Sequence, residues 1–208
     1  FNFDAITVYE KWLADYRDEQ QPNGVPPAII PTGGWGYHWA NGPDWTSTIA
    51  IIPWNVYMFY GDKKLLSDCY ETIKRYVDHI TDLSPSGLTA WGLGDWVPVK
   101  SKSPVELTSS AYYFVDASIL AKAAKLLGRE DDYIRYTALS NKIKDAINSK
   151  YLDTEKGIYG NGVQTELSVP LKWNIVPDDL KAKVAENLAG RVKADNSHID
   201  VGLLGSKA

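Results

Sequence analysis

The 208 residues carry 22 Lys and Arg against 26 Asp and Glu, a net charge of −4, with 44% hydrophobic and 23% charged side chains. This is an ordinary globular composition, and its acidic balance excludes the basic footprint that a nucleic-acid partner requires. No apolar run reaches the ~20 residues of a transmembrane helix, so no membrane partner is expected, and the single Cys69 leaves neither a disulfide framework nor a thiolate metal site.

The chain opens FNFDAITVYEKWL, with no initiator Met and no leader pattern, as expected of a cut from something longer; it identifies no compartment. Phe3, Ile6, Tyr9, Leu13 and Tyr16 recur at spacings of three and four and predict a helix over about 3–20. A long connection over about 21–45 ends in GGWGYHWANGPDW, residues 33–45. Its four glycines and one proline exclude a regular helix or central strand, yet it holds three tryptophans. Loops lie on the surface, so rings there form either a buried lid or a platform for stacking. TSTIAIIPWNVYMFYG, residues 46–61, is apolar nearly all round, as in a helix buried on most sides, with Pro53 either kinking it or sitting near its start. Leu66, Cys69, Ile73, Tyr76 and Ile80 then stripe a charged helix over about 62–82, which makes Cys69 a core thiol rather than a nucleophile.

The next long connection, about 83–107, contains SGLTAWGLGDWVP. Residues 108–127 read as a second buried helix, with Thr108 as N-cap and Gly128 as terminator. Residues 131–150 form a charged helix striped by Tyr133, Tyr136, Ile143 and Ile147, followed by a connection over 151–162. Residues 163–174 are again mostly apolar, and 178–192 carry Leu180, Val184 and Leu188 on a Lys/Glu-rich surface.

A buried helix followed by an amphipathic one thus occurs three times, after a leading outer helix. Turns from buried to amphipathic are short, at Gly61-Asp62, Gly128-Arg129-Glu130 and Val176-Pro177-Asp178, whereas the return connections are long. Antiparallel neighbours place every long connection on one face and every short turn on the other. The expected fold is all-α, with antiparallel inner and outer helical hairpins forming about half of an (α/α)6 toroid, and residues 1–208 making one partial barrel. Half a toroid leaves the flanks of its inner helices uncovered, which favours self-association.

Two dipeptides stand out on the long-loop face: Asp44-Trp45 and Asp95-Trp96. A carboxylate accepts paired hydrogen bonds from vicinal hydroxyls, and an indole face covers the C–H face of a sugar ring, so the pairing suits carbohydrate. The candidate substrate contacts are Trp45, Trp96, Asp95 and Asp44, with Trp39 and Gln164 on the same face. In the purely structural alternative, Trp45 and Trp96 are the first buried residues of their helices and the aspartates are N-caps. Trp12, Trp54 and Trp173 lie within helices and read as core. Glu106 and Glu166 are open to a catalytic role on the cleft face, but read first as first-turn partners of helix dipoles. The three histidines are scattered without metal-ligand spacing, and no nucleotide fingerprint or nucleophile elbow occurs, so neither metal nor cofactor is expected.

The chain resembles the catalytic domain of family 78 α-L-rhamnosidases through YEKWLADYRDEQQPNGVPPAIIP, GPDWTSTIAIIPWNVYMFYGDKKLL, GLGDWVP, SAYYF followed by AAKLLG, YLDTEKGIYGNGVQTELSVPL and VGLLGSK, in family order over essentially the whole length. The resemblance implies an (α/α)6 barrel and inverting hydrolysis of terminal α-L-rhamnosides by a general acid and a general base. Trp45 and Trp96 match the family's sugar-lining tryptophans. Where the family commonly continues Gly-Asp-Ala, this chain has Thr46-Ser47-Thr48. The family's acid-bearing stretch is expected before Phe1 and its base after Ala208, so no catalytic residue is assigned within the chain. The other readings are a non-catalytic carbohydrate-binding helical module and an (α/α)6 hydrolase of different sugar specificity.

Overall fold

The computed structural model describes residues 3–208. Its helices are α1 (Ile6–Glu19), α2 (Pro43–Thr46), α3 (Thr48–Tyr60), α4 (Lys63–Leu83), α5 (Val105–Leu126), α6 (Glu130–Tyr151), α7 (Gln164–Lys172) and α8 (Lys181–Ala194). Inner helices α3, α5 and α7 each pack against the outer helix that follows, α4, α6 and α8, and α1 leans on α3 and α4. The all-α, inner/outer hairpin architecture holds.

The stripes explain the layers. Leu66, Cys69, Ile73, Tyr76 and Ile80 are all buried on α4, as are Tyr136, Ile143 and Ile147 on α6, while the opposite faces stay charged. Helix α5 is buried on nearly every side and forms the axis of the core, against which α3, α4, α6 and α7 pack. Cys69 is a core thiol held by Arg17 Nη1 at 3.3 Å, and burial pushes it up to about 11. The short turns work as expected. Gly61 ends α3 in the left-handed conformation at φ 72°, and Asp62 caps α4 by accepting from Leu65 N at 2.8 Å.

Three local readings change. Helix α5 begins at Val105 with Pro104 at the N-cap position, so Thr108 lies inside the helix and donates to Val105 O at 3.0 Å. Proline's fixed φ and missing N–H suit a helix entry, which sets the start earlier than the apolar run suggests. Helix begins ahead of the apolar segment: the short α2 already contains Trp45 and is separated from α3 at Ser47, whose hydroxyl turns back to Pro43 O at 2.6 Å; Pro53 lies inside α3. The 151–162 connection contains a two-stranded antiparallel hairpin, β1 (Leu152–Asp153) and β2 (Ile158–Tyr159), too short for alternation to announce.

Candidate functional site

The long connections converge at the N-terminal ends of the inner helices. Pro43 opens α2 and places Asp44 in its first turn, 3% exposed. Asp44 Oδ2 accepts from Gly94 N at 2.7 Å and Ser109 Oγ at 3.1 Å, tying the second long loop and the start of α5 to α2. Oδ1 has no partner among the described residues. Burial pushes this carboxyl up to about 6, against the Gly94 and Ser109 donors that favour its charge. Gly92 makes the approach feasible: its φ is +155°, and a Cβ there would press on the Asp44 carboxyl and the Ser109 hydroxyl.

Asp95 has the same neighbour and a different environment. Its Oδ2 accepts from Thr165 Oγ1 at 2.6 Å and Gly202 N at 2.7 Å; Oδ1 accepts from Leu204 N at 2.8 Å and Gly205 N at 3.2 Å. One carboxylate therefore joins the second loop, the first turn of α7 and the C-terminal segment. Gly202 is required for that closeness, since a Cβ would sit 2.6 Å from Asp95 Oδ1. Gln164 makes comparable ties: Nε2 donates to Asp195 Oδ2 and His198 O, both at 2.9 Å, and Oε1 accepts from Asp200 N at 3.1 Å. Neither aspartate is an N-cap, because Gly42 and Pro104 hold the cap positions of α2 and α5.

Between the acids stand the indoles. Trp45 and Trp96 meet edge to face, centroids 6.1 Å apart at 82°, and Trp45 Nε1 donates to Gly94 O at 3.1 Å. Trp45 lines a cavity of about 430 Å³ with Asp44, Tyr112, Trp173, Lys172 and Leu204. Trp96, 47% exposed, lines another of about 460 Å³ with Asp95, Val97, Lys102 and Val105. The structure thus brings Asp44, Trp45, Asp95, Trp96 and Gln164 to one end of the inner helices. Trp39 lines neither cavity; it packs against Trp35.

Some residues around the site were not legible as such. Trp54 and Trp173, read as core, are half-buried: each packs on the core and also lines a further cavity of about 330 Å³. Tyr112 meets Trp173 edge to face at 5.7 Å. Asp116, in the middle of α5, is wholly buried 2.8 Å from Ser47 Oγ. Ser47 has one hydroxyl proton and two acceptors in reach, Pro43 O and Asp116 Oδ2. Both contacts are satisfied if Asp116 is a neutral acid that donates to Ser47 while Ser47 donates to Pro43. Burial pushes Asp116 well above the usual carboxylate range, in the same direction. Glu166 is also fully buried, and its Oε2 reaches back to Asn161 N at 2.7 Å, a first-turn capping role.

A family model described as the bacterial α-L-rhamnosidase six-hairpin glycosidase domain matches residues 1–208. The solved α-L-rhamnosidase from Dictyoglumus thermophilum superposes with a TM-score of 0.91 at 36% identity, over 99% of this chain and 24% of that one. The Streptomyces avermitilis α-L-rhamnosidase complexed with L-rhamnose superposes with a TM-score of 0.89 at 29% identity, over 97% of this chain and 19% of that one. A curated α-L-rhamnosidase from Formosa agariphila is 23% identical over 99% of this chain and 23% of its own length. The chain therefore spans about a fifth to a quarter of the length of these relatives.

Proposed function

The chain belongs to the bacterial α-L-rhamnosidase six-hairpin glycosidase domain family, and from that premise we propose that it forms part of the catalytic domain of an inverting glycoside hydrolase acting on terminal α-L-rhamnosides. Its role in this reading is to supply pocket residues while the general acid and base come from other segments of a longer protein. The observation that carries the reading is the T-shaped Trp45–Trp96 pair standing where two cavities open at the inner-helix ends. An indole pair of that kind bounds a sugar ring on its apolar faces. Asp44 acts by holding the second long loop and the start of α5 through Gly94 and Ser109; Asp95 and Gln164 act by holding the C-terminal segment that forms the pocket wall.

The carboxylates support the division of labour. Inversion needs two carboxyl groups on opposite sides of the scissile bond with a water between them. Asp95 accepts four internal hydrogen bonds, Glu166 is folded onto its own helix start, and Asp116 is wholly buried. None is presented as an acid or a base.

The test pairs two measurements. The 208-residue chain assayed on an aryl α-L-rhamnoside is expected to show no turnover above background. In the complete enzyme, Trp96→Ala should weaken transition-state binding by roughly 1–3 kcal/mol in kcat/KM. Turnover by the chain alone would place the catalytic pair inside it, and unchanged kinetics for Trp96→Ala would remove the indole pair from the pocket.

A further inference from the structure

The loop between α1 and α2 carries two indoles that the Trp45–Trp96 pocket does not use. Trp35 is 60% and Trp39 44% exposed, with centroids 5.3 Å apart and planes inclined at 35°. A loop with such rings would ordinarily collapse to bury them. Here polar ties hold it on both sides of the pair. Thr32 N donates to Glu19 Oε2 at 3.1 Å, Gly36 N to Thr32 Oγ1 at 2.9 Å and Tyr37 OH to Glu19 O at 2.9 Å. Beyond the pair, the Asn41 side-chain amide donates to Pro26 O at 2.7 Å and the Asn41 backbone carbonyl accepts from Tyr76 OH at 2.8 Å. The backbone is fixed to α1 and α4 while the two rings face outward.

The side chains between those rings face a separate cavity. Tyr37 and His38 line about 240 Å³ with Gln21, Asn23, His79 and Trp91. Among the described residues no lysine, arginine or carboxylate lines it, and burial lowers the pKa of His79, which favours its neutral form. Amides, imidazoles and a phenol beside aromatic faces suit an uncharged polyhydroxylated ligand and give an anion no counter-charge.

We propose that the Trp35–Trp39 pair and the neighbouring pocket lined by Tyr37 and His38 form a second saccharide site, distinct from the Trp45–Trp96 pocket, that takes successive pyranose rings of an extended neutral carbohydrate chain. The indole faces, which stand outside that cavity, cover the C–H face of one ring, and Gln21, Asn23 and His38 within it meet the hydroxyls of another. The inference rests on the glycosidase reading for its ligand class, and it makes the chain a binder of polymers as well as of single terminal sugars.

Affinity gel electrophoresis of the full 208-residue chain in gels containing a soluble rhamnan, a neutral polymer of L-rhamnose, tests it, with methyl α-L-rhamnopyranoside binding followed in parallel by calorimetry. Trp35→Ala is expected to lose about tenfold in apparent polymer affinity and to leave monosaccharide affinity unchanged; adding Trp39→Ala deepens the polymer loss, and Trp35→Tyr restores part of it. Trp96→Ala should do the reverse, weakening the monosaccharide more than the polymer. Polymer retention unchanged in the double variant overturns the second site. Equal losses on both ligands from Trp35→Ala also overturn it, by merging the pair with the first pocket. A wild-type chain that binds the monosaccharide but not the polymer defeats this inference alone, whereas one that binds neither defeats the glycosidase pocket with it.

Discussion

Asp44-Trp45 and Asp95-Trp96 are the same dipeptide in two opposite environments. Asp44 is 3% exposed, receives two hydrogen bonds on one oxygen and none on the other from the described residues, and is pushed up to about 6. Asp95 is half-buried and receives two hydrogen bonds on each oxygen, three of the four from backbone N–H groups of the C-terminal segment. Desolvation outruns hydrogen bonding in the first pair, and donors saturate the carboxylate in the second. The comparison teaches that an acid beside an indole is a local pattern, while its role depends on the donors that distant segments bring.

Breaking the saturated side should have the larger effect. Asp95→Ala removes the shared acceptor of Thr165, Gly202, Leu204 and Gly205, and part-buried donors lose their partner together. A cost of about 4 kcal/mol is expected in urea unfolding, since each stranded donor is worth about 1–3 kcal/mol and water recovers some of that at a half-buried site. Hydrogen exchange at Gly202, Leu204 and Gly205 should accelerate before exchange in α4 or α5. Asp95→Asn, which keeps one acceptor oxygen, should lose about half as much. If Asp95→Ala leaves exchange in the C-terminal segment unchanged, the clasp is not what holds it.

That clasp could not have been read from the sequence. Asp95 meets Gly202 and Leu204 across separations of 107 and 109 residues, through backbone groups that leave no trace in side-chain pattern. The layers were legible because hydrophobic periodicity is local: the α4 stripe from Leu66 to Ile80 marks the buried face directly. The convergence of Asp44, Trp45, Asp95 and Trp96 was legible too, since loop-length alternation in antiparallel helices puts those loops on one face. Asp116 escaped notice within an apolar helix because its hydrogen-bond partner, Ser47, lies 69 positions away and the burial that raises its pKa comes from packing. Trp54 and Trp173 were assigned to the core because helix position says nothing about which ring edge meets a cavity.

The under-supplied acid predicts a pH dependence of its own. Asp44 has an ordinary value of 3.8 and a folded value of about 6, so between these two the unfolded chain has lost its proton and the folded chain retains it. With more protons bound in the folded state, stability falls as pH rises through that window. It is greatest below about pH 4 and reduced by about 3 kcal/mol above pH 7, since each pH unit between the two values costs roughly 1.4 kcal/mol. Asp116, raised in the same direction, adds to the slope from the same onset. Asp44→Asn cannot ionise. Its stability relative to the unsubstituted chain should therefore improve by about 3 kcal/mol between pH 4 and pH 7.5, read from urea midpoints at both values. Parallel pH profiles for the two chains would show that Asp44 ionises normally.

A smaller substitution sharpens the contrast by making Asp44 still less like Asp95. Ser109 is its one side-chain donor among the described residues, at 3.1 Å, and Gly94 N would remain after Ser109→Ala. A hydroxyl donor favours the ionised carboxylate over the neutral acid, so removing it should matter little at pH 4, where Asp44 is protonated. Above pH 7 it should cost about 1 kcal/mol, the worth of one hydrogen bond to a charged group at modest geometry. The upper end of the pH window over which stability declines should move up by about half a unit or slightly more, while its onset stays at the unfolded value, because about 1.4 kcal/mol corresponds to one pH unit. Thermal or urea unfolding of Ser109→Ala at pH 4 and pH 8 reads both quantities. Equal losses at the two pH values would mean that Ser109 contributes packing against Gly92 alone. A loss confined to the alkaline side would show that Asp44 is charged at neutral pH and depends on its few donors to remain so.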